Sequence, residues 1–330
     1  MTRFSAQVTG IFFVLLVLLP QFCGAWDLSR EGWNELPGPR DEHVILGWTQ
    51  VGSKPWLAIR AWTQKGRPRL LAVDPATLQT RIVDAPVPPS VSWAQAEERA
   101  SPRSLYFRLR DAVLKTRSQE VNAGMGVWEP RRRGAWLSMD LCPSRKPLDR
   151  WVFTPLTRGR NTPLPVFLDV SGLWMSVHAK DLAWLIHEQS EGRLAITWVG
   201  HGELHPFDPN SPWGQTFDLT PGLDFHREVL GPERRLIALG QTPSVWYRFP
   251  GLISSPHLVK KLLDWGLLPL ASGAWLNKNQ KVHPGDVVLV HANGNEERGL
   301  RLLVELNKEK KALPAGEWSW LSLADFSSLP

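Results

Sequence analysis

The chain of 330 residues holds only two cysteines, Cys23 and Cys142. Cys23 falls within an amino-terminal leader, so the mature chain keeps a single thiol and has no internal disulfide. This excludes the small disulfide-stapled class of secreted domains and any cysteine-rich zinc site. Long apolar runs are equally scarce. Residues 11–19 form a compact one, too short to favour a membrane-spanning helix, and no second long run follows. There is no Gly-x-Ser-x-Gly elbow, which argues against a serine-nucleophile hydrolase. Internal repeats, low-complexity tracts and recognisable nucleic-acid-binding motifs are also missing. The formal charge is +6, with the basic residues scattered apart from Arg131-Arg132-Arg133. Nucleic acid is therefore not an expected partner. Mild basicity suits an anionic envelope polymer, and a solvated surface equally well.

The leader has the three parts of a signal peptide. Arg3 gives a short positive region, residues 11–19 the apolar centre, and Cys23-Gly24-Ala25 the small residues before a cut ahead of Trp26. Gln21-Phe22 precede Cys23 where a lipoprotein signal wants small residues, so lipidation is not expected. The expectation is an exported protein, periplasmic or secreted by a bacterium, with residues 1–25 removed and no transmembrane anchor left. Its 18 tryptophans are several times the ordinary share. Each can build core or offer a flat face to a sugar ring, and core is the commoner use.

Residues 27–35 read as a linker. Strand-like runs at 43–51, 56–63, 68–73 and 78–83, separated by turn residues, predict a meander. Pro86, Pro88 and Pro89 break it, and residues 103–121 contain a helical stretch with Leu105, Leu109 and Val113 near one face. Residues 26–127 thus form a small β-rich region, expected to pack against the main domain. From 128 to 330 the pattern changes. Strand candidates at 135–139, 166–170, 194–199, 244–247, 267–270 and 287–290 alternate with helical runs at 175–189, 223–230, 255–265 and 297–306. A further helix is expected from Pro147, and 318–323 closes the domain. Such alternation predicts a parallel α/β sheet, open or closed into a barrel.

Residues 195–206, AITWVGHGELHP, show an apolar run ending in two histidines four apart and a proline. His201 and His205 sit where a buried strand would run out into a loop. Two imidazoles so placed can hold a divalent metal such as zinc, or can be surface histidines with no ligand. Other strand candidates also end in polar residues: Asp140 after Leu137-Ser138-Met139, Arg248 after Val245-Trp246-Tyr247, and His291 after Val288-Leu289-Val290. In a parallel barrel these ends face one pocket.

On these segments the chain resembles the polysaccharide deacetylase (NodB-homology) family over about residues 133–325. His201-Gly202-Glu203-Leu204-His205-Pro206 matches the family's histidine pair followed by proline, and Arg248-Phe249-Pro250-Gly251 its Arg-x-Pro segment. Leu289-Val290-His291 matches its Leu-His strand end loosely. Ser138-Met139-Asp140-Leu141 stands where the family has a pair of aspartates. Asp169 is the rival for that position, but only 32 residues separate it from His201, against 61 for Asp140. The family's barrel needs the larger interval.

The resemblance implies a distorted (β/α) barrel, a divalent metal, zinc in the first instance, and removal of N- or O-acetyl groups from a glycan such as peptidoglycan or another acetylated polysaccharide. It implies that His201 and His205 hold the metal and that Asp140 is the general base. Arg248 would orient Asp140, and His291 would be the acid. Trp275 and Pro250 would line the substrate pocket. Two departures stand out. Leu141 occupies the place of the family's third ligand and cannot coordinate, leaving Cys142, Asp149, Asp208 or Asp140 itself as substitutes. The aspartate that tunes the acid histidine is missing, with Ser272 and Gly273 where it would be sought. The alternative is a relative that has lost catalysis and binds glycan or supports envelope assembly.

Overall fold

The computed structural model describes residues 38–39, 41–101, 104–116, 119–128, 133–314 and 316–326. The expected signal peptide, the 27–35 linker, Arg131 and Arg132 lie outside the described residues. Among the described residues no helix is long and apolar enough to cross a membrane.

Strands β1 (His43–Val51), β2 (Lys54–Gln64), β3 (Arg67–Val73) and β4 (Thr80–Asp84) form an antiparallel sheet in chain order. The β2–β3 turn has only Lys65 and Gly66 at its tip, both at positive φ (51° and 73°). That is the two-residue turn whose twist matches the flanking strands. Helix α1 (Trp93–Arg99) follows; apolar periodicity does not predict it. It begins in a capping box in which the Ser92 hydroxyl accepts from Gln95 N while the Gln95 side chain accepts from Ser92 N. Helix α2 (Leu105–Thr116) is the expected one, trimmed at both ends.

The second sheet consists of parallel strands. These are β5 (Gly134–Leu141), β6 (Leu164–Val170), β7 (Leu194–Gly200), β8 (Trp246–Tyr247), β9 (Leu268–Pro269), β10 (Ala274–Trp275) and β11 (Val287–His291). Their order is β10-β11-β5-β6-β7-β8-β9, and β12 (Ser319–Trp320) pairs in parallel with the start of β5. Helices α3 (Phe153–Thr157), α4 (Gly172–Val177), α5 (Ala179–Ser190), α6 (Phe225–Ala238), α7 (Pro256–Asp264) and α8 (Glu297–Lys311) surround it. The architecture is a distorted (β/α) barrel, curled but open between β9 and β10. Residues 121–128 stitch that seam. Met125 N donates to Pro269 O at 3.0 Å, Ala271 N to Met125 O at 2.9 Å, and Val287 N to Gly126 O at 2.8 Å.

Two helices differ from expectation. The run 175–189 is broken at His178 into α4 and α5. Helix α6 continues through Pro232, where the sequence suggests a stop near residue 230. Pro232 removes one backbone donor, at a cost of about 3 kcal/mol in a helix interior. Val229, Leu230, Leu236 and Ile237 are all buried on the same helix. Fully burying each such side chain contributes roughly 1.5–3 kcal/mol, which outweighs the proline.

Alternation along β5 positions the site. Ala135, Leu137, Met139 and Leu141 join Leu182 and Leu185 of α5 and Leu300 and Leu303 of α8 in an outer core. Trp136, Ser138 and Asp140 point to the opposite face, as a period of two requires. The inner core is continuous with the meander: Leu57, Ile59, Trp62 and Leu71 share one cluster with Phe167, Trp246 and Val259. A buried ion pair crosses the same boundary, Arg60 Nε donating to Glu233 Oε2 of α6 at 2.9 Å.

Candidate active site

Asp140 lies near the end of β5, directly opposite Asp169 of β6 in the strand register. Both carboxylates are buried. Arg248, one residue past β8 and fully buried, reaches both. Its Nη1 donates to Asp140 Oδ1 at 2.6 Å and to Ser138 Oγ at 2.9 Å, and lies 3.2 Å from Asp169 Oδ2. Its Nη2 donates to Ala271 O at 3.1 Å and its Nε to Leu270 O at 3.3 Å. The guanidinium is thus clamped between two carbonyls and two carboxylates. Burial by itself would raise the Asp140 pKa, but Arg248, then His201 and His291, hold it well below the ordinary carboxylate range. For Asp169, burial and the neighbouring Asp140 charge prevail over Arg248 and push the carboxyl well above that range. The 61-residue interval from Asp140 to His201 holds α3, β6, α4, α5 and β7, and Asp140 and Asp169 stand side by side on adjacent strands.

His201 follows β7 directly. Its Nδ1–H donates to Arg248 O at 2.9 Å, which turns Nε2 toward the pocket. That Nε2 lies 3.6 Å from Asp140 Oδ2 and 3.4 Å from Cys142 Sγ. Burial lowers the His201 pKa, but Asp140 and Cys142 raise it further, to about 9. His205 sits at positive φ (50°), with its ring 4.8 Å from that of His201 and edge-on to Phe217 at 5.2 Å.

The loop between the histidines is held by buried acids. Glu228 of α6 accepts from Leu204 N and His205 N, each at 3.1 Å. Burial, then the Asp218 charge, push the Glu228 pKa up to about 8. Glu203, also buried, pairs with Arg235, whose Nε donates at 2.9 Å. It fits because Gly172 and Gly231 are its neighbours: a Cβ on either would fall 1.8 Å and 2.5 Å from Glu203 Oε2.

His291 ends β11. Its Nδ1–H donates to Glu296 Oε2 at 2.9 Å, and its Nε2 lies 3.8 Å from Asp140 Oδ2. Burial lowers its pKa, but Cys142 and Glu296 raise it well above the ordinary value. The carboxylate beside His291 is thus Glu296, and not a residue at 272–273. The Trp275 indole donates to the same Glu296 oxygen at 3.0 Å, and its ring stands 5.5 Å from that of His291. Pro250 opens a single helical turn; its ring lies beside Gly202, where a Cβ would come 3.1 Å from Pro250 Cγ.

Asp140, His201, His205, Arg248 and His291 thus lie close together. Trp275 borders His291, and Pro250 borders the histidine loop. Sequence reasoning missed Glu296, which follows His291 by five residues and carries no local signal. It left Cys142 as one of several substitutes. Two of those others are bonded to backbone or side chains of their own: Asp149 accepts from Gly294 N at 2.7 Å, and Asp208 accepts from Asn210 N at 2.9 Å and Ser211 Oγ at 3.0 Å within its own turn. Ligand-type atoms of Cys142, His201 and His205 lie within 4.8 Å of one another. His205 Nε2 is buried there with no hydrogen-bond partner. Two imidazoles and a thiol so grouped are a candidate site for a divalent metal.

Among solved structures, family 4 carbohydrate esterases are similar to this chain. One from Bacillus anthracis is 20% identical with a TM-score of 0.45, covering 66% of this chain and 91% of its own. A family 4 pseudoenzyme of the same organism is 14% identical at 0.40, covering 78% and 85%. A peptidoglycan N-acetylglucosamine deacetylase is 13% identical at 0.39, covering 57% and 87%. No family model matches the chain.

Proposed function

We propose that the protein is an exported, metal-dependent hydrolase that removes N- or O-acetyl groups from an envelope or extracellular glycan, peptidoglycan being the first candidate. The observation that carries this reading is the position of Asp140. Arg248 fixes it on one side, and His201 and His291 face its free oxygen at 3.6 and 3.8 Å. A base kept ionised and an acid kept protonated then face one small volume, as acyl-group hydrolysis requires.

His201 and His205 would hold the metal. When bound, zinc would polarise the acetyl carbonyl and lower the pKa of a bound water. The remaining chemistry belongs to this chain. Asp140 takes the proton from the attacking water as the new carbon–oxygen bond forms. Arg248 holds Asp140 in place and ionised. His291, kept charged by Cys142 and Glu296, gives its Nε2 proton to the leaving amine or alcohol as the acyl bond breaks. Trp275 and Pro250 would line the acetyl pocket beside these groups. The products are acetate and the free amine or hydroxyl.

The test pairs metal analysis of the purified protein with acetate release from peptidoglycan and from acetylated chito-oligomers. The reading expects bound metal, acetate release, and loss of both in His201→Ala. A metal-free protein that releases no acetate, unchanged by His201→Ala, would leave the non-catalytic glycan-binding alternative in its place.

A further inference from the structure

We propose that Cys142 supplies the third protein ligand of the metal site, making it a two-histidine, one-thiolate centre. This rests on the metal reading above and adds the identity of the third donor. Three observations lead to it. Strand alternation comes first. Asp140 faces the site and Leu141 packs into the outer core. The next residue with the inward parity of Asp140 is Cys142, just past the strand end. The second is distance. Cys142 Sγ is 3.4 Å from His201 Nε2, and its group with His201 and His205 spans no more than 4.8 Å. The third concerns the other acids named from the sequence. Asp140 Oδ1 is taken by Arg248 at 2.6 Å, which leaves only its Oδ2 toward the histidines, and Asp149 and Asp208 are bonded to Gly294 N and Ser211 Oγ. Asn293 braces the thiol's backbone, its Nδ2 donating to Cys142 O at 3.0 Å.

The consequence is selectivity. Thiolate and imidazole donors together favour zinc or cobalt(II) over harder ions such as manganese(II), whereas a carboxylate in the same place would not. Losing a ligand should cost at least as much as losing a partner behind one, which is worth about 10–100-fold in metal affinity.

The experiment uses the full mature chain with zinc and cobalt(II) as probes. Zinc affinity is measured for the wild type, Cys142→Ser, Cys142→Asp and His201→Ala, with circular dichroism as the folding control. The cobalt(II) form of the wild type is read by absorption, which needs no variant. The expected result is one zinc per chain and a strong near-ultraviolet sulfur-to-cobalt band. Cys142→Ser should bind zinc about 100-fold more weakly and lack the band. Cys142→Asp should recover affinity without the band and shift its preference toward manganese(II). A wild-type cobalt(II) form with no such band, and zinc affinity unchanged in Cys142→Ser but lost in His201→Ala, would overturn the thiolate ligand and leave the two-histidine metal reading standing. No metal uptake by folded wild type would overturn both. Zinc and the band without acetate release would uphold the ligand and defeat the hydrolase.

Discussion

Arg248 Nη1 donates to Asp140 Oδ1 across 2.6 Å, and neither side chain is open to water. An exposed pair of this kind would contribute about 1 kcal/mol or less. Here, removing one partner strands the other charge in the interior, which costs about 3–5 kcal/mol. Arg248→Met should therefore lower unfolding free energy by that amount in urea titrations. Arg248→Lys keeps the charge but loses the fork that also reaches Ser138, Leu270 and Ala271. It should remain folded and lose about 10²–10⁴-fold in acetate-release rate, the range typical of a misplaced general base. Full activity in Arg248→Lys would show that the fork does not position Asp140.

Glu296 accepts from His291 Nδ1 and raises the imidazole pKa together with Cys142. An acid must be protonated to act, so this pKa sets the alkaline limb of the rate profile. Glu296→Gln removes the charge and should move that limb about 1 unit to lower pH. The Trp275 indole would keep an acceptor in the new amide. The measurement is acetate release against pH in both proteins, and an unmoved alkaline limb would remove Glu296 from the account.

Glu42 binds Arg234 Nε at 3.0 Å beside the Arg60–Glu233 pair, where the meander meets α6. Burial, then the Glu233 charge, push its pKa up to about 7 from an ordinary 4.5, against the pull of Arg60 and Arg234. Between those two values the folded chain keeps a proton that the unfolded chain releases. Stability from this group is therefore full at low pH and is lost as pH rises from 4.5 through 7. Glu42→Gln should flatten the fall in melting temperature between about pH 5 and 8, removing on the order of 1–3 kcal/mol of pH dependence. Parallel curves for the two proteins would contradict the shift.

Gly231 lies inside α6, where alanine ordinarily stabilises by about 1 kcal/mol. The opposite sign is expected here. A Cβ would meet Glu203 Oε2 at 2.5 Å and Glu203 Cβ at 2.8 Å, and Glu203 is locked by Arg235. Gly231→Ala should destabilise by about 1–3 kcal/mol, the usual cost of overpacking, and weaken metal binding by shifting the 201–205 loop. Calorimetry and zinc titration check the two effects, and a more stable variant would mean that the Glu203 contact is soft.

Much of the site was legible because strand ends concentrate chemistry. Asp140, His201, Arg248 and His291 each stand at or just past the end of a strand whose apolar run is readable. The meander was legible through its turn residues. The rest was hidden for physical reasons. Strand β10 is two residues long and held by its neighbour β11, not by its own pattern. Pro232 reads as a stop, yet buried side chains around it carry the helix on. Helix α1 had a readable signal in its Ser92–Gln95 capping box, which apolar periodicity alone passes over. Cys142 was visible by counting two residues from Asp140 along a strand. Glu296 is brought to His291 by a bend over residues 293–295 and had no comparable mark.

The most direct test of the central claim is acetate release from acetylated chito-oligomers by zinc-loaded wild type beside Asp140→Asn, both shown to be folded. The account predicts acetate from the wild type and a loss of about 10²–10⁴-fold in Asp140→Asn, as removal of a general base does, with zinc still bound. Equal rates in the two proteins, or no acetate from folded and zinc-loaded wild type, would contradict it.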